Sequence, residues 1–168
     1  QPSLFLGNFD VTHKTIEGSM KVDDSSSDDA GLIGFAFAYQ GEQQYYLFEW
    51  QKEISTNGEG RGMSLTIVNA GENNADMTMK KKSILKSENT RILKQNSIGW
   101  KASAEYTYRL EFHPGRFRIQ VREGSVVLET WDITDSTFTF GRFGFYNSSQ
   151  KDAMYYGVKQ TIDRTETI

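Results

Sequence analysis

The sequence contains no cysteine, which excludes disulfide cross-links, thiolate metal sites and cysteine nucleophiles. Histidine is almost absent: His13 and His113 are the only two, and neither has the surroundings of a Ser-His-Asp arrangement. We expect His113, which precedes Pro114, to serve in a turn. No apolar run approaches the roughly 20 residues that a membrane-spanning helix needs, so no membrane insertion is expected.

Positive and negative charges nearly balance in this sequence. The net charge of −3 gives no reason to expect general attraction to nucleic acid or to an anionic membrane. The one basic run, residues 80–82, is interpreted as a solvated loop. The composition therefore points away from nucleic-acid and membrane partners.

Aromatic residues and glycine are plentiful, and no long helical pattern occurs. About ten short segments alternate between apolar and polar residues, with turn signals between them, which predicts an all-β sandwich or jelly roll. Residues 1–10 are expected to form an edge strand or a packed arm, and residues 132–138 a loop. Further strands are predicted at residues 15–22, 62–69, 106–112, 116–122, 125–131, 141–146 and 153–162.

Two aromatic segments flank a glycine-containing turn at residues 41–43. Strict alternation along the first segment puts the large side chains on one face and the small ones on the other. The large ones are Phe35, Phe37 and Tyr39, and the small ones are Ala36 and Ala38. The second segment places three more aromatic residues on one face: Tyr46, Phe48 and Trp50. This pattern predicts the central strand pair of a two-layer sandwich with these aromatics in the core.

An acidic, serine-rich loop precedes the first aromatic segment. Its carboxylates are Asp23, Asp24, Asp28 and Asp29. Calcium takes six to eight oxygen ligands, and a flexible loop of this kind supplies several. The spacing is not that of an EF-hand, and a solvated acidic turn explains the same residues. Both interpretations stay open at this point.

A catalytic alternative rests on Glu49 and Glu53, which lie four residues apart and so share one face of an extended strand. Retaining glycosidases place two carboxylates about 5 Å apart. Gln51 stands between the two glutamates, where laminarinase-type sandwich enzymes carry an aspartate. The alternative hypothesis is therefore a sandwich-type glycoside hydrolase.

Six motifs in register resemble the C-terminal domain of thrombospondins across residues 15–160. The motif segments are residues 34–40, 45–51, 62–69, 98–101, 106–110 and 141–150. The resemblance implies a legume-lectin-like jelly-roll sandwich of the concanavalin type. It also implies a calcium-supported adhesion module outside the cell, with an acidic loop that helps to bind calcium. The matching positions are Asp29, Ala30 and Gly31, of which only Asp29 is a carboxylate.

We therefore expect residues 1–168 to form one such domain, a module of a larger extracellular or cell-surface protein and a bacterial relative of the family. It is expected to be non-enzymatic, to use calcium, and to bind a glycan or protein ligand on a cell surface or in the matrix. Fold analogy suggests that exposed aromatics contact carbohydrate; the candidates are Trp131, Tyr146, Tyr155 and Tyr156. A structural spacer within a larger surface protein is the remaining alternative.

Overall fold

The computed structural model describes residues 2–23, 31–53, 62–69, 90–148 and 152–163. All regular structure within these ranges is β, in eleven strands. No described residue belongs to a helix with the length and apolar character that crossing a membrane requires. The strands are β1 (Pro2–Asp10), β2 (Lys14–Val22), β3 (Leu32–Gly41), β4 (Gln44–Gln51), β5 (Met63–Asn69), β6 (Thr90–Gln95), β7 (Glu105–His113), β8 (Gly115–Glu123), β9 (Val126–Asp135), β10 (Arg142–Ser148) and β11 (Ala153–Ile162).

The strands form two antiparallel sheets. The six-stranded sheet has the order β1-β10-β3-β4-β5-β6, and the five-stranded sheet has the order β11-β2-β7-β8-β9. The predicted all-β sandwich is confirmed. The central pair of the larger sheet is β3 and β4, as their aromatic patterns predicted, and β1 is an edge strand.

The core lies between the sheets and is dominated by aromatic rings. Phe35 on β3 is the centre: its ring centroid lies 4.8 Å from that of Phe48, 5.1 Å from that of Tyr108 and 5.5 Å from that of Phe143. Tyr108 belongs to the five-stranded sheet, so this ring bridges both layers. Aromatic pairs at these separations stabilise a core beyond the area they bury.

The predicted alternation along β3 is wrong after Phe37. Ala38 has a φ of 50° and faces the core between the sheets, whereas Tyr39 packs on the outer side of the six-stranded sheet. The pairing of β3 with β4 shifts register at this point, which is the signature of a β-bulge. Gly141 makes the bulge possible, because a Cβ there would lie 2.2 Å from the Ala38 carbonyl carbon.

The predicted loop at residues 132–138 is also wrong in its first half, since β9 continues to Asp135. Ile133 is the reason: it is buried and lies opposite Phe117 of β8. Because this additional apolar residue faces the core, β9 continues to Asp135.

The outer face of the six-stranded sheet is shielded from solvent as well. A second apolar cluster covers it, formed by Ala36, Tyr45, Leu47, Val68 and Tyr146. Glu49 lies on the same face, across from Gly34 and Ser64, and is only 3% exposed. Its Oε1 atom has no hydrogen-bond partner among the described residues. Burial of the carboxyl group raises the pKa of Glu49 to about 7.

The raised pKa predicts how stability depends on pH. Below pH 4.5, the ordinary pKa of the group, Glu49 is protonated in both folded and unfolded chains. As the pH rises from 4.5 to 7, the unfolded chain loses this proton first, so the free energy of unfolding falls. The loss is about 3 kcal/mol. Glu49→Gln should remove this fall and be more stable than the wild type above pH 7, as measured by urea unfolding at pH 5 and pH 8.

Glu53→Gln is the matched control, because Glu53 is exposed and lies just beyond the same strand. It should keep the wild-type difference between the two pH values. Equal pH profiles for Glu49→Gln and the wild type would show that this carboxyl does not titrate near pH 7.

Candidate functional site

The structure describes one of the four predicted calcium ligands. Asp23 is exposed, directly follows β2, and its Oδ1 atom lies 3.3 Å from the Lys21 Nζ atom. Its backbone N–H donates to the carbonyl oxygen of Asp152 at 3.3 Å, which ties this end of the loop to the start of β11. The other three, Asp24, Asp28 and Asp29, lie outside the described residues.

The described part of the chain holds no group of three or more His, Cys, Asp or Glu side chains suited to a metal ion. Two further carboxylates have structural partners. Asp132 accepts from the Arg118 guanidinium at 2.8 Å. Asp135 accepts from the Tyr46 hydroxyl at 2.5 Å and from the Thr137 backbone N–H at 2.9 Å.

The two glutamates of the hydrolase alternative lie in different surroundings. Glu49 is enclosed on the outer face of the six-stranded sheet, and Glu53 is exposed after β4 has ended. The Glu53 backbone pairs with Trp100, to whose carbonyl its N–H donates at 2.8 Å. A retaining mechanism needs both carboxylates in one accessible cleft. A glutamate that is 3% exposed is poorly placed to reach a sugar ring.

Of the four candidate exposed aromatics, one is exposed. Trp131 and Tyr146 are buried, and the Tyr155 hydroxyl is occupied: it donates to the Tyr146 carbonyl at 2.7 Å and accepts from the Gly34 N–H at 3.0 Å. Tyr156 is 38% exposed and lies across from Ser19 on the outer face of the five-stranded sheet. A hydrogen bond to the Glu105 carboxylate raises the pKa of Tyr156 to about 12.

Next to Tyr156, the outer face of the five-stranded sheet forms a shallow groove of about 330 Å³. It crosses β11, β2, β7 and β8. We call it the five-strand groove, after the five-stranded sheet on which it lies. Its polar lining consists of Glu17, Ser19, Thr107, Arg109, Gln120, Arg122 and Lys159. The lining residues on β2, β7 and β8 alternate with buried residues that face the core, so the fold that buries Tyr108 and Leu110 presents Arg109 to solvent.

Several groups in the groove are held by one another. The Arg109 guanidinium lies 3.5 Å from the Glu17 carboxylate and 3.1 Å from that of Glu111. Arg122 donates to the Gln120 side-chain oxygen at 2.9 Å, and Gln120 donates to Thr130 at 3.1 Å. These contacts order the side chains before any ligand binds, which reduces the entropy lost on binding.

The groove carries more positive than negative charge. Three of its lining residues are cations and one, Glu17, is an anion. None of the ion pairs found among the described residues involves Arg122 or Lys159. The groove thus combines two available cations, hydroxyl and amide groups, and a neighbouring exposed aromatic ring. Such a set suits hydrogen bonding to a hydroxyl-rich or anionic ligand.

Sequence reasoning did not single out this groove. The alternation along residues 116–122 shows which side chains point outward, but it does not show which strands lie beside β8. The groove arises only because β2 lies between β11 and β7, two strands that are distant from it in the sequence. No local signal reveals that pairing.

The chain is similar to several thrombospondins. Thrombospondin-2 of Gallus gallus is 26% identical over 173 residues, a match that covers 94% of this chain and 14% of the relative. Thrombospondin-3b of Danio rerio is 23% identical over 180 residues, covering 92% of this chain and 18% of the relative. The chain thus spans less than a fifth of the length of these relatives.

Solved structures share the fold. A carbohydrate-binding module from Bacillus subtilis superposes with a TM-score of 0.65 at 16% identity, covering 95% of this chain and 81% of the module. Chicken galectin 2 superposes with a TM-score of 0.56 at 8% identity, covering 94% and 97%. The family model described as the thrombospondin C-terminal region matches residues 1–162, and the chain therefore belongs to this family.

Proposed function

We propose that the chain is a non-enzymatic ligand-binding module that works outside the cell and binds a glycan in the five-strand groove. The observation that carries this proposal is the groove itself, a polar surface beside an exposed tyrosine with two cations, Arg122 and Lys159, that form no ion pair with any described residue. Membership of the thrombospondin C-terminal family supports the extracellular setting. The whole-protein partners of the thrombospondins are not carried over to a chain that spans so little of their length.

The groove chemistry favours an anionic glycan over a neutral one. Arginine binds carboxylate and sulfate oxygens through two parallel N–H donors, and Arg122 retains free donors after its contact with Gln120. Tyr156 offers the apolar face of a ring to a sugar, while its hydroxyl stays bonded to Glu105. A carbohydrate-binding module and galectins have the same fold, but at these identities a shared fold does not identify a ligand, and the proposal rests on the chemistry of the groove.

Calcium bound by the acidic loop is part of the proposal. The loop supplies Asp23, Asp24, Asp28 and Asp29 within seven residues, and the resemblance to the family implies a calcium-binding acidic segment at this position, which supports the proposal. Asp23 is exposed and carries its carboxylate at the point where this segment leaves β2. Hard oxygen donors of this density favour calcium over softer metals.

An array of sulfated, uronate-containing and neutral glycans tests the groove. The wild type should bind members of the anionic set, and titration calorimetry should then give the Kd of the strongest. The double variant Arg122→Gln/Lys159→Gln should weaken that binding at least tenfold, because each lost charge-assisted contact contributes about 1.5 kcal/mol.

The matched control is Lys94→Gln/Lys101→Gln, which removes the same charge from exposed positions outside the groove. It should bind with the affinity of the wild type. An array without any binding would favour the structural spacer. Equal losses of glycan affinity in both double variants would show that general charge attraction, and not the groove, holds the glycan.

Thermal unfolding with calcium and with a chelator tests the acidic loop. Calcium at 100 times its Kd should stabilise the folded chain by about 2.7 kcal/mol and raise Tm by several degrees. Asp29→Ala should reduce this rise, whereas Asp132→Asn, in an exposed ion pair with Arg118, should keep it. The same Tm in both solutions would remove calcium from the proposal.

A further inference from the structure

The two histidines of the chain, 100 residues apart in sequence, meet at one end of the five-stranded sheet. His13 lies in the turn that leads into β2, and His113 is the last residue of β7. Their Nδ1 atoms are 3.2 Å apart, and their ring centroids are 5.4 Å apart. The glycan proposal does not use either residue, and neither lines the five-strand groove.

A carboxylate from a third strand holds His113 in place. Asp163 directly follows β11, and its Oδ2 atom lies 3.3 Å from the Nε2 atom of His113. Thr15 donates its hydroxyl to the same carboxylate at 2.8 Å, and the Asp163 backbone N–H donates to the His13 carbonyl at 2.7 Å. Three adjacent strands therefore fix the positions of these groups.

These contacts determine which nitrogen of His113 is free. The Asp163 Oδ2 atom lies within ion-pair distance of Nε2, so it favours the tautomer of His113 that carries its proton on Nε2, and in that tautomer the lone pair of the neutral imidazole is on Nδ1. That lone pair points toward His13 Nδ1. An imidazole that donates one nitrogen to a carboxylate and offers the other is the arrangement found for metal-bound histidine, in which the carboxylate orients the ring and strengthens it as a ligand.

The distance between the two rings fits a shared ion. Zinc binds imidazole nitrogen at 2.0–2.1 Å, so two such ligands at a tetrahedral angle lie about 3.3 Å apart. The observed 3.2 Å requires no movement of the strands. His13 need only carry its proton on Nε2 for both lone pairs to meet at one point.

We propose that His13 and His113 bind one divalent transition-metal ion of the zinc class through their Nδ1 atoms, with Asp163 as the orienting carboxylate. Imidazole suits such ions, whereas calcium prefers oxygen, so this site is chemically separate from the acidic loop. Two protein ligands leave coordination positions for water or for a donor atom of a ligand. His113 is 37% exposed, so its ring is accessible from solvent.

Titration calorimetry with zinc chloride at pH 7.5 tests this site, with calcium present to occupy carboxylate sites. The full chain should bind one zinc ion. His113→Gln and His13→Asn should each abolish measurable binding; asparagine is chosen because it tolerates the φ of 56° at position 13. Asp163→Asn should weaken zinc binding at least tenfold, because it removes the negative charge of the orienting carboxylate. The asparagine side chain still offers an oxygen as a hydrogen-bond acceptor.

The chain has no cysteine and no other histidine, so zinc binding that either histidine variant retains would not depend on the pair of histidines and would overturn the proposal. The ¹⁵N shifts of the imidazoles give an independent readout: zinc should perturb Nδ1 of both rings as a ligand. Ligation through Nε2, or one zinc ion per two chains, would also overturn it. Unchanged thermal unfolding of the metal-free variants confirms that they fold.

Discussion

Interlocking of aromatic rings between the two sheets is the interaction on which the rest of the structure depends. Phe35 touches rings from the same sheet and from the facing one, and Phe37 does the same through Phe117, 5.2 Å away. Strands alternate, so fixing the inward residues also fixes the outward ones. The polar lining of the five-strand groove is thus the reverse side of the aromatic core, and a slip of one residue in β7 would replace Arg109 by Tyr108 at the surface.

Much of this fold could be predicted because periodicity, turns and core aromatics agree along most of the chain. The prediction failed where one residue breaks the period. At Ala38 a bulge shifts all later side chains of β3 to the opposite face, and the cause, close approach of Gly141, lies 103 residues away. Burial of Glu49 was equally hidden, because alternation gives the face of a side chain but not what covers that face.

The candidate sites also differ in how far the sequence alone could predict them. Tyr156 could be named from the sequence as one of four aromatics, and its exposure was decided by its place on β11. The groove and the histidine pair could not be predicted, because both depend on β2 lying between β7 and β11. Residues that are unremarkable in sequence become a site only through pairing between distant strands. The acidic loop is the opposite case, since its density of carboxylates is evident without any structure.

The same long-range pairing governs how the domain can form. β1 needs β10 and β2 needs β11, partners that are synthesised more than 100 residues later. The hairpin of β3 and β4 and the meander of β7, β8 and β9 pair locally and are able to assemble first. The strands from the start of the chain must wait with open edges, and contacts that close such long loops make folding slow. In the living cell, this interval is when the nascent chain is most exposed to aggregation and most dependent on chaperones.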